Sequence, residues 1–154
     1  MSDHDGLVAD LCQRPEHVTS EWLTDVLHSS GVLGAAAVIE SFESVPVGTG
    51  QMADSVRFLL NCKGDESDAP RSVVAKFAST DPTSRATGLS LRSYEIEVRF
   101  YRELAGTVGI RTPACHHAAV DPDTGWFTLV LEDLAPAVRR WRLSTGRPRP
   151  PARR

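Results

Sequence analysis

Two glycines, a lysine and a glutamate are the residues whose types and spacing have a chemical interpretation. Gly48-Thr49-Gly50 stands between two short apolar stretches, Lys76 lies within Val-Val-Ala-Lys-Phe, and Glu97 belongs to a longer periodic segment. Glycines let a backbone approach an anion closely, and a strand lysine near an inward-facing carboxylate suggests an ion pair. The glycines therefore raise the question of a phosphate loop, and the lysine and the glutamate raise the question of a partly buried ion pair.

Both a phosphate loop and an ordinary hairpin turn need glycine, and the segment Gly48-Thr49-Gly50 taken alone favours the ordinary turn. A dinucleotide-binding loop has a third glycine and leads into a helix. This sequence instead has Ala53, followed by the apolar alternation of a strand over residues 56–60, and residues 38–42 also resemble a strand. The pattern predicts a glycine hairpin between two strands, which argues against a dinucleotide-binding domain.

Lys76 has two possible environments. It lies either on the solvent face of an edge strand or on a partly buried strand, where an ammonium group is costly unless an anion meets it. A helix predicted over residues 90–105 has an apolar stripe, and Glu97 falls on that stripe. We therefore expect Lys76 and Glu97 to form an ion pair within about 4 Å. The stripe consists of Tyr94, Val98, Tyr101 and Leu104.

The elements that must position these residues follow from periodicity and turn signals. A helix over residues 19–30 is capped by Thr19 or Ser20 and ends at Gly31. Besides the two strands around the glycines, strands are predicted over residues 72–78, 115–120 and 126–134, the last two joined by a turn at residues 121–125. We expect an α+β fold in which a five-stranded antiparallel sheet packs against the helix bearing Glu97.

Composition places the chain among globular proteins. Its 154 residues allow one domain, no apolar run approaches the roughly 18 residues that a membrane span needs, and the acidic N-terminus lacks a secretory signal. The expected location is the cytoplasm.

The three cysteines are too few and too scattered for a disulfide framework. Cys115-His116-His117 suggests a metal cluster, but adjacent residues of a strand point to opposite faces, which favours a structural role and no metal site.

Charge divides the chain into two unequal parts. Residues 1–137 carry 10 Lys and Arg against 20 Asp and Glu, whereas residues 138–154 carry 7 Arg and no acid. The second part is rich in arginine and proline and has no apolar periodicity, as is typical of disorder. Such a basic tail suits nucleic acid or an acidic membrane surface, but out-of-frame translation of GC-rich DNA gives the same composition. We expect neither a membrane nor a nucleic-acid partner.

These motifs together resemble the small lobe of kinase-like phosphotransferases. The glycine hairpin, the strand lysine, the helix "YEIEVRFYREL" and the strand "FTLVLEDL" are similar to the branch that contains aminoglycoside phosphotransferases and choline kinases. The resemblance covers roughly residues 18–137. It implies an N-terminal segment over residues 1–17, a kinase-like lobe over 18–137 and a basic tail over 138–154.

The resemblance also implies roles for individual residues. The backbone of Gly48, Thr49 and Gly50 would cover the phosphates of ATP, with Mg²⁺ present in an intact family member. Lys76 would contact the α and β phosphates while Glu97 holds it in place. The hinge, whose backbone meets the adenine edge, would be formed by Glu132, Asp133 and Leu134.

A catalytic half of such a kinase is not recognisable in the sequence. No H-x-D motif with a following Asn occurs, and this motif supplies the catalytic base of the family. We therefore expect a truncated phosphotransferase that binds ATP weakly, does not turn over alone, and exposes the apolar residues of segment 129–134. The alternatives are a regulatory lobe completed by a C-terminal-lobe partner, and a basic-tailed binding module unrelated to ATP.

Overall fold

The computed structural model describes residues 10–64 and 69–135. Over these residues the chain is an α+β fold with three α-helices and a five-stranded antiparallel sheet. A 3-10 turn at Pro15–His17 precedes the first helix, and a π-helical turn at Phe100–Leu104 extends the third. The helices are α1 (Ser20–Ser29), α2 (Pro82–Ser90) and α3 (Ser93–Arg99). The strands are β1 (Val38–Thr49), β2 (Ala53–Lys63), β3 (Ser72–Ala78), β4 (Cys115–Val120) and β5 (Phe127–Glu132).

The sheet has the strand order β1-β2-β3-β5-β4, and every neighbouring pair is antiparallel. β3 is therefore the central strand, with β1 and β4 at the edges. The register aligns Ser55 of β2, Lys76 of β3 and Leu129 of β5 in one cross-strand row. Directly paired residues of neighbouring strands project from the same face of a sheet, so the side chains of this row lie on one face.

Helix α1 packs on one face of the sheet. Its N-cap is Thr19, whose side-chain oxygen accepts a hydrogen bond from the Trp22 N–H at 3.1 Å. Leu23 and Leu27 of α1 are fully buried against this face. The sheet residues of the same core include Phe58, Val73, Ala75, Phe77 and Val130.

Helix α3 packs on the opposite face, over the β5 and β4 side of the sheet. Tyr94 and Val98 of α3 are buried there with Phe127, Leu129 and Leu131 of β5. Strand β5 therefore contributes alternate residues to both cores and is buried on both faces. The part of the sheet that β1, β2 and β3 form on the α3 side remains partly exposed.

The predicted architecture is confirmed at the level of an α+β fold with a five-stranded antiparallel sheet. The helix predicted over residues 90–105 is present as α3 and its π-helical turn, over residues 93–104, and begins three residues later than predicted. Helix α2, which ends at Ser90, was not predicted, and a break separates it from α3. The break falls at Arg92, which has a left-handed backbone (φ +54°). The edge-strand alternative for Lys76 was wrong, because β3 is central.

Two predictions about exposure were wrong as well. Leu104 was expected on the inward stripe, but it is 52% exposed. The π-helical turn ends with a bond from the Ala105 N–H to the Phe100 carbonyl, and this wider turn rotates later side chains away from the stripe. Leu129 and Leu131, expected to be exposed, are covered by α3.

None of the helices within residues 10–64 and 69–135 has the length and apolar character of a membrane span. The predicted N-terminal segment over residues 1–17 lies inside the described part only from Asp10 onward. The predicted basic tail over residues 138–154 lies outside the described residues.

Candidate functional site

Lys76 and Glu97 form the predicted ion pair. The Lys76 ammonium donates a hydrogen bond to Glu97 Oε1, which joins the central strand to helix α3. The two side chains are 28% and 32% exposed, so the pair lies at the boundary between the α3 core and the open part of the sheet. An ammonium group has three N–H donors, so a lysine held by one carboxylate oxygen has further donors for a second acceptor.

Tyr94 fixes the position of α3 one turn before Glu97. Its ring stacks on Phe127 at 4.5 Å between centroids, and its hydroxyl donates to the Met52 carbonyl in the hairpin between β1 and β2. The same carbonyl accepts the Ser79 N–H at 3.1 Å. The hairpin, the end of β3 and α3 therefore converge on one backbone oxygen.

The glycine segment forms the predicted hairpin. Gly48 and Thr49 are the last residues of β1, and the turn begins at Gly50. A Cβ on Gly50 would lie 2.7 Å from the Ala53 carbonyl oxygen, so the tight turn requires glycine at this position. Space is open around Gly48, which therefore has no such steric requirement.

The sheet register brings the hairpin into line with the lysine. Gly48 pairs with Ser55, and Ser55 pairs with Lys76, so the three residues form one row across β1, β2 and β3. The next row on this face consists of Val45, Arg57 and Val74. It lies two residues along β2 and β3, but three residues along β1, because β1 has an irregularity between Pro46 and Gly48. With a strand rise near 3.3 Å per residue, the rows are about 7 Å apart. We call this partly exposed surface the open face and define it by Val45, Ser55, Arg57, Val74 and Lys76.

The last residue of β5 and the two residues after it, which were predicted to form a hinge, border the second row of the open face. Glu132 accepts hydrogen bonds from Arg111 at 2.7 Å and from the Ala114 N–H at 3.1 Å. These contacts tie the end of β5 to the chain that enters β4. Leu134 is half-buried and follows Asp133 directly.

Asp133 is the most enclosed acid of this segment, with a side chain only 5% exposed. It pairs with Arg57 at 2.6 Å and accepts the Ser72 hydroxyl at 2.7 Å. Burial opposes ionisation of this carboxyl, but hydrogen bonds from Arg57, the Ala135 N–H and Ser72 outweigh it and lower the Asp133 pKa. Asp133 is therefore a carboxylate at neutral pH.

Sequence reasoning missed Arg57. The signal was available, because Arg57 lies between Val56 and Phe58 in a strand that is buried on one side. An arginine on the other side of such a strand needs a carboxylate partner, just as Lys76 does. The partner is 76 residues away, and nothing in the local pattern identifies it.

The segment Cys115-His116-His117 does not converge on one point. Cys115 pairs with Leu131 on the α3 face, whereas His117 pairs with Val130 on the α1 face and its ring packs edge-on against Trp22. Burial raises the pKa of the Cys115 thiol to about 11 and lowers the pKa of His117. Over the described part of the chain, no group of three or more His, Cys, Asp or Glu side chains is placed to hold a metal ion.

A cleft of about 490 Å³ opens at the end of the sheet, beside the segment after β5. Its lining includes Val32, Arg71, Ser72, His116 and Asp133, and Lys76 is not among the lining residues. The predicted phosphate-binding residues therefore belong to the open face rather than to this cleft.

The structure thus brings Gly48, Thr49, Gly50, Lys76 and Glu97 to one end of the open face. Glu132, Asp133 and Leu134 lie toward the other end, beyond the second row. Comparison of the chain with protein-family models, with characterised proteins and with solved structures finds no match.

Proposed function

We propose that the chain is the nucleotide-binding small lobe of a kinase-like phosphotransferase that uses ATP to phosphorylate an alcohol group. The observation that carries this proposal is the Lys76–Glu97 ion pair in the same cross-strand row as the glycine hairpin. A phosphate site needs a fixed cation and an accessible backbone, and this row supplies both. The resemblance to aminoglycoside phosphotransferases and choline kinases supports the same function.

In this proposal ATP lies along the open face, with its phosphates at Lys76 and its base over Val45 and Val74. Lys76 holds the polyphosphate, and Glu97 keeps the ammonium oriented. Val45 and Val74 provide an apolar surface for a base, and both are half-buried. The backbone of residues 132–134, beyond these valines, meets the polar edge of the base. ATP, when bound, supplies the phosphoryl group that is transferred.

Turnover is not expected of these 154 residues alone. The sequence has no H-x-D motif to supply a catalytic base, and Glu97 and Asp133 are both paired with cations and thus engaged. We propose weak nucleotide binding by the chain, with an acceptor site and Mg²⁺ ligands contributed by a C-terminal lobe or a partner. Magnesium-dependent phosphorylation of an aminoglycoside or a choline-like alcohol by the chain alone, abolished by Lys76→Ala, would overturn this part of the proposal.

An NMR titration of the ¹⁵N-labelled chain with Mg²⁺ and ATP tests the binding proposal. We expect amide shifts at residues 48–50, 74–76 and 132–134, a dissociation constant raised at least tenfold by Lys76→Ala, and a smaller rise with Glu97→Gln. The sequence contains only one other lysine, Lys63, which is 72% exposed and pairs with Glu40 at 3.6 Å. Lys63→Ala is therefore the matched control and should leave affinity unchanged. Equal effects of the two lysine substitutions, or no shifts at these amides, would refute the proposal.

A further inference from the structure

The Arg57–Asp133 pair and its hydrogen bond from Ser72 join two strands of the sheet, β2 and β3, to the segment that follows β5. Arg57 donates from Nε and Nη2 to the two carboxylate oxygens of Asp133, at 2.6 and 3.2 Å. Since Arg57 is on β2 and Asp133 follows β5, the arginine side chain must cross the central strand β3 to reach its partner. Ser72, the first residue of β3, donates to the same carboxylate.

The network also fixes the backbone after β5. Asp133 Oδ1 accepts the Ala135 N–H at 3.0 Å, so the carboxylate holds its own segment as well as the sheet. A bidentate arginine–carboxylate contact fixes orientation as well as distance, because both groups are planar. With the carboxylate almost enclosed and the arginine 26% exposed, the pair fixes the backbone of residues 133–135 relative to β2 and β3.

The pair lies at the second row of the open face, at the end opposite the glycine hairpin. Arg57 belongs to the second row of the open face, between Val45 and Val74, and Lys76 belongs to the first. We propose that Arg57 and Asp133 are positioning residues that hold the backbone of residues 132–135 at the base end of the nucleotide, separately from the lysine that holds its phosphates. This inference rests on the proposed function and adds a division of the open face into two ends.

The test compares two ligands that differ only in whether they carry a nucleoside. ATP has both ends, whereas inorganic tripolyphosphate has only the phosphates. If Asp133 positions the base end, Asp133→Asn raises the dissociation constant for ATP about tenfold and leaves that for tripolyphosphate within twofold of wild type. Lys76→Ala weakens both ligands. A purely structural pair would affect the two ligands alike.

Three single variants, one double variant and one control separate positioning from folding. Asp133→Asn keeps the shape of the side chain, Arg57→Met removes the charge, and Arg57→Lys keeps the charge but not the bidentate geometry. We expect Arg57→Met to match Asp133→Asn, Arg57→Lys to fall between wild type and Arg57→Met, and the double variant to be no weaker than either single one. The control is Arg92→Met, because Arg92 makes a comparable two-point contact with Glu95 at the start of α3 and has no contact with Asp133 among those of the described residues.

Hydrogen exchange measures the positioning without any ligand. The Ala135 amide should exchange at least tenfold faster in Asp133→Asn than in wild type or Arg92→Met, because its acceptor is weakened. Unchanged exchange, equal effects on ATP and tripolyphosphate, or unfolding of Asp133→Asn would each overturn the inference. If wild type binds neither ligand, the proposed function fails and this inference fails with it. If wild type binds ATP and only the selectivity is absent, the proposed function stands and this inference falls.

Discussion

Replacement of Gly88 by alanine should destabilise the protein, although helix propensity alone predicts the opposite. Gly88 lies inside α2, where alanine is favoured over glycine by about 1 kcal/mol. A Cβ at this position, however, would lie 2.4 Å from Tyr94 Cζ and 2.6 Å from its hydroxyl oxygen. Both distances are far below the roughly 3.5 Å at which non-bonded carbon atoms pack.

The cost of that clash can be estimated from what Tyr94 would lose. Overpacking of a core costs about 1–3 kcal/mol. A displaced ring would also weaken its stack on Phe127 and its hydrogen bond to the Met52 carbonyl, each a loss of about 1 kcal/mol. Set against the gain of about 1 kcal/mol in helix propensity, these losses predict that Gly88→Ala lowers the free energy of unfolding by about 2–4 kcal/mol.

Urea unfolding followed by tryptophan fluorescence measures this difference. Thr87→Ala is the neighbouring control, because Thr87 is exposed on the same helix and its replacement should change stability by less than about 0.5 kcal/mol. In a Tyr94→Leu background the ring is gone, so Gly88→Ala should no longer destabilise. A Gly88→Ala protein as stable as wild type would show that α2 and α3 do not pack as described.

The remaining predictions concern the buried titratable groups of β4. Burial lowers the pKa of His117 below its ordinary value. As the pH falls through about 6.5, the unfolded chain therefore binds a proton on this side chain before the folded chain does. The free energy of unfolding is highest above that pH and decreases as the pH falls. Urea denaturation between pH 7.5 and 5.5 should show a smaller decrease in the free energy of unfolding for His117→Gln than for wild type. An equal decrease in the two proteins would exclude His117 as its cause. Because the Cys115 pKa is about 11, iodoacetamide at pH 8 should alkylate Cys115 about 100-fold more slowly in the folded chain than in urea, as measured by mass spectrometry. Similar rates in both states would show that the thiol is accessible.

The sequence predicted those parts of the fold in which local pattern and burial agree. β3 and β4 have the predicted bounds because each is a short apolar run between polar or proline-containing loops. Helix α2 was missed because Pro82–Ser90 is mostly small and polar and has a weak apolar face. Its start signal was present, since Asp81 caps the helix by accepting the Ser84 N–H and Pro82 follows it.

One ion pair of the candidate site could be predicted from the sequence and the other could not. Glu97 was identified because a carboxylate on an apolar stripe needs a partner, and Lys76 was the nearest candidate within a strand. Arg57 and Asp133 could not be paired from the sequence, because their contact depends on the sheet order that places β3 between them. Long-range register of this kind is set by tertiary packing and leaves no local pattern.

Covalent labelling by an acyl-phosphate derivative of ATP tests most directly whether the open face binds a nucleotide. Such a reagent transfers its acyl group to a lysine amine beside the bound phosphates, and the chain has only Lys63 and Lys76. Accessibility alone favours Lys63, which is 72% exposed against 28% for Lys76. We predict the reverse: mass spectrometry should find Lys76 acylated in preference, with excess ATP suppressing that labelling and leaving Lys63 unaffected. Preferential labelling of Lys63, or labelling of Lys76 that excess ATP does not reduce, would contradict a nucleotide site on this face.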